Sequence, residues 1–593
     1  MHKDLESIQQ ARDLAEAAHS AFLKFEHFTA EQVETILTSL SETGIAHAAQ
    51  LAKLAVDETG YGNVEHKTLK NLFCARDVYN AIRPMKTVGI VREDVEKRIL
   101  EVASPIGVIA AIIPSTNPTS TTIYKALIAL KGRNAIVFSP HPSAAKCILE
   151  TSRLLAEAAE RAGAPRGVIS CLTSSTLEGT DTLMKHPRTA LILATGGSAM
   201  VKAAYSAGKP AFGVGPGNVP TYIDRTADVP KAVRDILTGK TFDNGTLCSS
   251  EQSIVCDETV KEAVLAELRR QGAYLCSESE KASLEKVIQT PRRTLNTKIV
   301  GQSADRIAKM AGFSIPEGTR AIVAHAGGVG MDYPISMEKL SPLLGFFTVR
   351  DWREGCERCI EILKFGGLGH TLSLHCGDDK IVREFGLRKP AFRICVNTPA
   401  ALGAVGYTTN LFPAMTLGCG AQGNNVTSDN ISPLHLINLK RVAYGVRDVA
   451  AAPVIPSLPS TSRPMPEAVR AVTTSNKRAV VENVVDQWLG NKSKPAAFSP
   501  FVPVSDVKPL AKQASTSPQA PPQPPLSSYR QLQPDAPKPA VAAAATKPVP
   551  FVCEDDVRTA IRSHARILIG KKTIITPSAR DLGEGSQVFV LSD

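Results

Sequence analysis

The sequence predicts an α/β protein built around parallel sheets, because two patterns alternate through its first 450 residues. Short apolar, β-branched runs occur at 103–114, 134–140, 167–172, 189–195, 219–224 and 253–257. Their length and near-continuous hydrophobicity are typical of strands covered on both faces. Segments with helical spacing of apolar residues, such as 143–163, lie between them. This alternation predicts βαβ units, with helices packed on both faces of a parallel sheet.

Composition places the chain among large globular proteins. Its 593 residues are too many for one core, 43% are apolar, 21% are charged, and no run reaches the roughly 18 apolar residues of a membrane helix. The amino terminus lacks the apolar stretch of a secretory signal, so we expect a cytoplasmic protein. The net charge is +11, of which residues 451–593 carry +6 (17 Lys+Arg against 11 Asp+Glu), with no basic run elsewhere. We expect neither a membrane nor a nucleic acid as partner.

The twelve cysteines show no paired spacing, which predicts free thiols in a protein made in the cytoplasm. Only Cys356 and Cys359 form a C-x-x-C pair, and their charged surroundings predict an amphipathic helix. Tetrahedral zinc normally needs four such ligands, and no second pair follows. A zinc or redox role for this pair is therefore not favoured, and we expect no metal site.

The composition changes near residue 450. Residues 451–550 are rich in Pro, Ala, Ser and Gln and bury too little apolar surface to offset chain entropy, so they predict a linker, disordered over 491–550. An amphipathic helix is predicted within this linker at 475–490, where apolar residues recur at helical spacing. Residues 551–593 predict a small carboxyl-terminal module with a short helix followed by two strands.

Four glycine-rich stretches and one cysteine carry the candidate chemistry. The stretches are ATGGSAM (194–200), GVGPGNVP (213–220), GGLGHT (366–371) and LGCGAQGNN (417–425). None fits the G-x-G-x-x-G fingerprint with a following acidic residue, and each alone also suits a turn. Cys248, in NGTLCSSEQ (244–252), lies among small and polar residues. On its own this stretch allows a buried filler, a metal ligand or a nucleophile.

Together with STNPTSTTIYKALIALKGRNAIVFSPHPSA (115–144) and LILATGGSAMVKAAYSAGKPAFGVGPGN (191–218), these segments resemble the coenzyme A-acylating branch of the aldehyde dehydrogenase superfamily over roughly residues 5–445. The aldehyde dehydrogenase half of bifunctional aldehyde/alcohol dehydrogenases and the propionaldehyde and acetaldehyde dehydrogenases of bacterial microcompartments are similar. The resemblance implies a homo-oligomer, a dimer or a tetramer, formed through a β-arm. The implied units are a Rossmann-like cofactor-binding domain with oligomerisation segments (1–235), an α/β catalytic domain (236–425) and a return segment (426–450).

The resemblance also assigns roles to the reacting residues. Cys248 matches the nucleophile, and we expect its thiol pKa to be lowered by backbone amides and a helix amino terminus. Asn117 and the Cys248 backbone amide match the two donors to the oxyanion that forms on the aldehyde. In isolation Asn117 is also a favourable turn residue before Pro118. Glu338 matches a carboxylate on the nicotinamide ribose, with a plain surface helix charge as the alternative.

The remaining candidates belong to the NAD and coenzyme A sites. The NAD residues are Ser139, Pro140 and His141 at the adenosine end, Thr195, Gly196, Gly197 and Ser198 at the pyrophosphate, and Val214 and Gly215. His370 and its neighbour Gly369 are implied to pack, or to donate at the coenzyme A entrance.

Val214 distinguishes acyl transfer from hydrolysis. Hydrolytic aldehyde dehydrogenases use the glutamate of an E-L-G-G-K stretch to activate water, and valine stands at that position here. Such base assistance is typically worth about 10² to 10⁴ in rate, and the thiol of coenzyme A needs it far less. The resemblance therefore implies oxidation of a short-chain aldehyde, propanal or ethanal, with NAD and coenzyme A to an acyl-CoA. The alternatives are a hydrolytic aldehyde dehydrogenase, an acyl-phosphate reductase of the same fold, or a scaffold or cargo adaptor.

The tail implies a location. Short amphipathic helices joined by flexible linkers target some microcompartment enzymes, and the helix at 475–490 is similar. We expect this helix, or the module at 551–593, to dock the enzyme to a shell protein or another cargo enzyme inside a bacterial microcompartment. The alternative is that the helix packs on the enzyme's own surface.

Overall fold

The structure, a computed structural model, describes residues 3–447 and, beyond them, 549, 551–563, 565–570, 573–576, 579–580, 582–583, 586 and 588–591. The predicted helix at 475–490 and all but residue 549 of the predicted linker lie outside the described residues. The chain divides into two compact units, Met1–Pro456 and Ser457–Asp593, close to the compositional change at residue 450.

The first unit contains sixteen α-helices and fifteen strands among its described residues. The helices are α1 (Lys3–Phe25), α2 (Ala30–Ala46), α3 (Ala48–Thr59), α4 (Val64–Leu72), α5 (Tyr79–Ile82), α6 (Pro118–Lys131), α7 (Ala145–Arg161), α8 (Leu177–Lys185), α9 (Ser198–Tyr205), α10 (Val229–Thr241), α11 (Lys261–Arg270), α12 (Glu278–Ile288), α13 (Ala304–Met310), α14 (Trp352–Phe365), α15 (Asp379–Arg388) and α16 (Ala400–Ala404). The strands are β1 (Gly89–Asp94), β2 (Ile99–Pro105), β3 (Val108–Ile113), β4 (Ala135–Pro140), β5 (Ile169–Cys171), β6 (Thr189–Thr195), β7 (Ala211–Val214), β8 (Val219–Ile223), β9 (Glu251–Asp257), β10 (Ala273–Leu275), β11 (Ala321–His325), β12 (Leu343–Val349), β13 (Gly369–His375), β14 (Ala391–Val396) and β15 (Ile437–Ala443).

Two parallel sheets form the body of this unit, which confirms the predicted α/β class. One has five strands in the order β5-β4-β3-β6-β7, and the other has seven in the order β10-β11-β12-β9-β8-β13-β14. Every residue of β3, β4, β8, β9 and β13 is buried, which explains why these runs are almost continuously apolar. The largest core cluster surrounds β3 and α6, and α6 is buried along its whole length.

Two boundaries differ from the sequence prediction. The run 103–114 is not one strand, because Gly107 adopts a φ of 135° between β2 and β3. Strand β8 belongs to the seven-stranded sheet, so the chain enters the second sheet between residues 214 and 219, before the expected domain boundary at 235. Apolar composition shows that a strand is buried on both faces but not which sheet it joins.

A third, antiparallel sheet has the order β1-β2-β15. Strand β15 pairs with β2 over its full length, from Ile437 opposite Pro105 to Ala443 opposite Ile99. Six of its seven residues are exposed. This sheet is the β-arm of the predicted fold, and it joins the chain near residue 90 to the segment that ends the first unit.

The described residues of the second unit form a small α/β module. Its elements are β16 (Phe551–Val552), α17 (Glu554–Arg562), β17 (Ile567–Ile569), β18 (Ile574–Ile575) and β19 (Phe589–Leu591). Strand β16 pairs with β18 and β17 with β19, both in parallel. The predicted helix is present, but a strand precedes it and three follow it instead of two.

Candidate active site

The carboxyl ends of β3, β4, β6 and β7 open into one cavity of about 640 Å³. Strands β3 and β6 are neighbours although β4 and β5 separate them in the chain, and open parallel sheets bind ligands at such a switch point. The sequence-predicted residues that line this cavity are Asn117, Ser139, Pro140, His141, Thr195, Gly196, Gly197, Val214, Gly215, Cys248 and Glu338.

One end of the cavity has the shape and donors that suit a dinucleotide pyrophosphate. Gly197 is the N-cap of α9 and Ser198 is its first residue, so free backbone amides of the helix lie beside the cavity. A Cβ atom built on Gly197 or Gly215 would meet nothing within 4 Å, so a ligand can approach the backbone there. Ser139 is buried, with its hydroxyl 2.8 Å from that of Thr180. These residues fit the cofactor that the sequence implied.

Cys248 follows a tight turn between α10 and β9. Asp243 and Asn244 both have positive φ, 49° and 52°, in this turn, a conformation that asparagine and aspartate tolerate better than most residues. A Cβ on Gly217 would lie 2.1 Å from the Cys248 carbonyl oxygen, so the glycine-rich loop 213–220 must pass directly over the cysteine. The close approach of the two backbones therefore requires glycine at position 217, next to Cys248.

His370 makes a direct polar contact with Cys248: its Nε2 lies 3.2 Å from the Cys248 Sγ. Its Nδ1 lies 2.9 Å from the Thr371 hydroxyl, and a proton on Nδ1 donated to that oxygen leaves Nε2 free to accept from the thiol. Gly369 has a φ of 78°, and a Cβ there would lie 1.9 Å from the Cys419 carbonyl oxygen, so only glycine fits next to this histidine. The sequence placed His370 near coenzyme A but did not pair it with Cys248.

Burial keeps this pair neutral. It raises the pKa of the Cys248 thiol to about 12, helped by the nearby Glu338 charge, and lowers the pKa of His370 to about 3, helped by Arg393. The expected lowering of the Cys248 pKa is therefore not found. Before substrate binds, the site holds a thiol and an uncharged imidazole rather than an ion pair.

Asn117 directs its side chain at the cysteine loop. It is the N-cap of α6, yet its side chain makes no capping hydrogen bond, so the helix does not account for its presence. Its Nδ2 donates to the Thr246 carbonyl and to the Thr116 hydroxyl, each at 3.2 Å. Its Oδ1 accepts from Lys70 Nζ at 2.6 Å. Because a lysine can only donate, this contact fixes which end of the amide faces Cys248.

A buried charge cluster that the sequence did not reveal supports Asn117. Asp243 accepts hydrogen bonds from Lys70, from Lys67 at 2.9 Å and from the Thr246 hydroxyl at 2.6 Å. Burial alone would raise the pKa of the Asp243 carboxyl, but the charges of Lys70 and Lys67 outweigh it and the pKa is lowered. Burial lowers the pKa of Lys70 to about 8 against the opposing effect of Asp243. Asp243 thus holds the turn that precedes Cys248 against α4, the helix that supplies Lys67 and Lys70.

Glu338 is the one carboxylate among the residues that line the large cavity. It is partly buried in an irregular segment, not on a surface helix, and its Oε1 accepts from the Gly217 amide at 2.8 Å. Burial raises its pKa to about 7. Val214, which the resemblance aligns with the hydrolytic base, ends β7 and is 3% exposed.

A second cavity of about 230 Å³ lies beside the cysteine loop, at Leu247. Leu247, Val405 and Met415 line both cavities, so the second meets the first beside Cys248. Its remaining lining is mostly aromatic and aliphatic: His66, Leu69, Lys70, Phe73, Thr238, Phe242, Leu402 and Tyr407.

Two classes of feature are missing from the part of the chain that the structure describes. No helix there is long and apolar enough to cross a membrane. No group of three or more His, Cys, Asp or Glu side chains there is placed to hold a metal ion.

Comparison with known proteins identifies the family. The aldehyde dehydrogenase family model matches residues 4–291. The bifunctional aldehyde-alcohol dehydrogenase of Escherichia coli (strain K12) is 41% identical over 491 residues, 82% of this chain and 55% of that protein, so the chain spans about half of its length. The succinate-semialdehyde dehydrogenase (acetylating) of Clostridium kluyveri is 37% identical over 435 residues, 73% of this chain and 95% of that protein.

Solved structures show the same fold. An acetylating aldehyde dehydrogenase from Geobacillus thermoglucosidasius is 54% identical with a TM-score of 0.74 and covers 75% of this chain and 98% of its own. The propionaldehyde dehydrogenase of the Clostridium phytofermentans fucose utilisation microcompartment is 29% identical (TM-score 0.66, 72% and 96% covered). That of Rhodopseudomonas palustris with bound propionyl-CoA is 26% identical (TM-score 0.66, 73% and 94% covered). The chain belongs to the aldehyde dehydrogenase family.

Proposed function

We propose that this protein is a coenzyme A-acylating aldehyde dehydrogenase, which oxidises a short-chain aldehyde and transfers the acyl group to coenzyme A. The observation that carries the proposal is the combination at Cys248: a thiol paired with His370, an amide donor at Asn117, and valine at the position of the hydrolytic base. Relatives named as acetylating, and a neighbour with bound propionyl-CoA, support the same reaction.

The first half of the reaction forms a thioester on the protein. Sγ of Cys248 attacks the aldehyde carbon while its proton passes to His370 Nε2, 3.2 Å away. The oxygen of the substrate becomes an oxyanion, which Nδ2 of Asn117 and the Cys248 amide stabilise. Lys70 prevents the Asn117 carbonyl oxygen from turning towards that negative charge. Loss of hydride from the tetrahedral adduct then leaves an acyl group on Cys248.

The hydride requires a nicotinamide cofactor, for which we propose NAD in the large cavity. When bound, this cofactor supplies the hydride acceptor. Gly197 and the amino terminus of α9 would hold its pyrophosphate, and Glu338 would contact the nicotinamide ribose. The open space over Gly197 and Gly215 supports this placement. Ser139, Pro140 and His141, at the end of β4, would contact the adenosine end.

The second half of the reaction moves the acyl group to a thiol. After His370 has released the Cys248 proton to solvent, it is placed to accept the proton of coenzyme A as that thiol attacks the thioester carbonyl, and to return this proton to the Cys248 sulfur as the acyl group leaves. Hydrolysis would need a general base at position 214, and the valine side chain there cannot accept a proton. Glu338 is an inferior substitute because one of its oxygens already accepts from Gly217. The hydrolytic alternative is therefore disfavoured, and the acyl-phosphate reductase is disfavoured by the named activities of the relatives.

Propanal or ethanal is the proposed substrate. The second cavity shares the aliphatic residues Leu247, Val405 and Met415 with the cavity that Cys248 lines, and its volume of about 230 Å³ suits a short apolar chain. Its one lysine, Lys70, is already bonded to Asp243 and Asn117, so it is not available to a substrate carboxylate. We therefore expect the substrate of this chain to differ from that of its relative named succinate-semialdehyde dehydrogenase. One methylene is worth only about 1–3 kcal/mol in such a pocket, so the two aldehydes are expected to be used with modest discrimination.

Assembly and location are proposed on separate grounds. The exposed faces of β1 and β15 support a homo-oligomer, a dimer or a tetramer, formed through the arm. The likeness to a microcompartment enzyme and the composition of residues 451–550 support packaging in a bacterial microcompartment, with docking to a shell protein or cargo enzyme through 475–490 or 551–593. A role as scaffold alone is disfavoured by the thiol of Cys248, the imidazole of His370 and the amide of Asn117, which lie together beside the large cavity.

The test is an assay of propanal oxidation with NAD, with and without coenzyme A. We expect NADH to form in step with propionyl-CoA, identified by mass spectrometry, and both to fall when the thiol is omitted. NADH formed at the same steady rate without coenzyme A, with propanoate as product, would overturn the proposal. The Cys248→Ser variant is the control for contaminating activity.

A further inference from the structure

A buried cluster of two cysteines and a lysine plays no part in the proposed reaction. Cys356 and Cys359 lie in α14, and Lys389 directly follows α15. Cys356 is 2% exposed, Cys359 0% and Lys389 7%. The C-x-x-C motif that the sequence shows at this helix therefore faces the core, next to a cation.

The ammonium group of Lys389 is aimed at sulfur. Its Nζ contacts Cys356 Sγ and donates to the Cys356 carbonyl oxygen at 2.6 Å. In the part of the chain that the structure describes, its polar contacts are with Cys356 alone, and the Phe385 ring lies below it with the centroid 4.2 Å from Nζ. Burying a cation without a carboxylate partner costs free energy, so a gain in folding stability does not explain why this lysine is buried. The arrangement does bring an amine and an oxidisable sulfur within bonding reach.

Cys359 is a poorer partner for Cys356. Side chains three residues apart on a helix have Cβ atoms about 5–6 Å apart, whereas a disulfide needs about 3.5–4.5 Å. A bond between the two cysteines would require α14 to distort, but a bond to Lys389 would not. Burial also raises the pKa of the Cys359 thiol to about 12, which makes it a weak nucleophile towards an oxidised neighbour.

We propose that Cys356 and Lys389 form an oxidative modification site, at which hydrogen peroxide joins Sγ to Nζ through one oxygen atom. One thiol, one amine and two molecules of peroxide give one S–O–N link and three molecules of water. The S–H bond and one N–H bond break, S–O and O–N bonds form, sulfur and nitrogen are oxidised, and peroxide oxygen is reduced. Two molecules of a dithiol reverse the change, restoring the thiol and the amine and releasing one molecule of water.

The link lies one hydrogen bond away from the active site. Pro390 follows Lys389, and its carbonyl accepts from the Gly369 amide at 2.7 Å, next to His370. Residues 356 and 389 are 33 positions apart, so the link closes a loop that contains α15 and the strand that carries His370. A cross-link of this kind restricts the unfolded chain and stabilises the folded one.

Trypsin makes the test specific. Cleavage after Arg353 and Arg358 places Cys356 in the peptide 354–358 and Cys359 in the separate peptide 359–364. Lys389 remains in the peptide 389–393, because trypsin cleaves poorly before Pro390. The full-length Cys248→Ser variant is treated with hydrogen peroxide, so that the active-site thiol does not react, and is digested without reductant.

The expected product is peptide 354–358 joined to peptide 389–393, with a mass one oxygen atom higher and two hydrogen atoms lower than their sum. Dithiothreitol should separate the two peptides. A Tm that rises on oxidation and returns on reduction is the second expected result. Lys389→Arg, which keeps the charge, should abolish both effects, whereas Cys359→Ser should leave both intact.

Two results would overturn the proposal. One is peptide 354–358 joined to 359–364, which is a disulfide between Cys356 and Cys359. The other is Cys356 oxidised to an acid while peptide 389–393 keeps its mass. The peptide map of the chain with Lys389 intact decides between these results even if the Lys389→Arg variant does not fold.

Discussion

At the scale of residues, Cys248 depends on its neighbours because it is not a ready-made thiolate. Its pKa of about 12 and the His370 pKa of about 3 mean that little proton transfer occurs before substrate binds. In the proposed reaction, proton transfer must accompany attack on the aldehyde, when the oxyanion forms near Asn117. A neutral thiol in the resting site is also a poor target for other electrophiles in the cell.

This neutral pair predicts a pH profile. The rate of Cys248 alkylation by iodoacetamide should rise continuously between about pH 6 and 9, since the thiol pKa lies above this range and His370 stays uncharged within it. Alkylation is measured by mass spectrometry of the Cys248 peptide. His370→Gln should lower kcat by about 10² to 10⁴. A plateau in alkylation from pH 6 to 9 would indicate an ion pair and contradict the account.

Lys70 is a positioning residue, and its substitution should act on kcat. Lys70→Met frees the Asn117 amide to turn its oxygen towards the oxyanion, so kcat should fall by up to about 10², with KM little changed. Lys67→Met is the matched control, because Lys67 contacts the Thr116 carbonyl and Asp243 but not Asn117. Lys70→Arg should restore part of the rate. Equal losses of kcat in the Lys67 and Lys70 variants, with equal losses of Tm, would show a purely structural role.

Some residues of the site could be found from the sequence, whereas others are identified only by their contacts with residues far away in the chain. Local composition left the roles of Cys248 and Asn117 open, and it was the family resemblance that drew attention to them; both line the large cavity. Lys70 reaches Asp243 across 173 positions and His370 reaches Cys248 across 122. No local pattern records such a contact, because a lysine on a helix usually faces solvent. The pKa direction of Cys248 was wrong for the same reason, since burial depends on the fold.

At the scale of elements, the arm sheet carries several exposed apolar side chains. Leu439 is 38% exposed and Val442 45% exposed on β15, and Ile90 is 57% exposed on β1. Edge strands of this kind pair or pack with another chain unless charge protects them. This pattern supports the proposed oligomer.

Charges on the arm should weaken that oligomer. We expect the double variant Leu439→Lys/Val442→Lys to sediment as a smaller species than the parent chain in analytical ultracentrifugation. Lys440→Gln, on the same strand, is the control and should leave the sedimentation coefficient unchanged. A double variant that keeps the assembly of the parent would exclude β15 from the interface.

The strands show what local sequence can predict about elements. Apolar runs identified β4, β6 and β8 almost to the residue, since buried strands require continuous hydrophobicity. Continuous hydrophobicity did not reveal that β8 belongs to the other parallel sheet, or that the run 103–114 is interrupted at Gly107. Pairing partners are set by long-range packing, and they leave no signal in a run of Val and Ile.

At the scale of the whole molecule, buried titratable groups make stability depend on pH in opposing ways. His375 is buried, and burial lowers its pKa from 6.5 to about 3. Below about pH 6.5 the unfolded chain gains a proton there that the folded chain refuses, so this histidine destabilises the fold increasingly as pH falls towards 3. Glu251 and Glu338, whose pKa values are raised to about 8 and about 7, act in the opposite direction over much of that range.

The contribution of His375 can be measured by comparing the free energy of unfolding of the parent chain with that of a His375 variant. Relative to the parent chain, His375→Gln should gain about 2 kcal/mol in free energy of unfolding when the pH is lowered from 7 to 5, because each pH unit below the unfolded-state pKa of 6.5 is worth about 1.4 kcal/mol. Urea unfolding of both chains at the two pH values gives this difference. The contributions of the two glutamates cancel in the comparison. No change in the difference would mean that His375 becomes protonated in the folded protein.

In the proposed reaction, the acyl group stays bound to Cys248 until a thiol removes it. Rapid mixing of the enzyme with propanal and NAD, without coenzyme A, should give a burst of NADH close to one equivalent per site, followed by slow turnover. Mass spectrometry should then find a propanoyl group on the peptide that contains Cys248. Added coenzyme A should discharge that group as propionyl-CoA and start steady turnover. Steady NADH production without coenzyme A, with no acyl group on Cys248, would contradict the account.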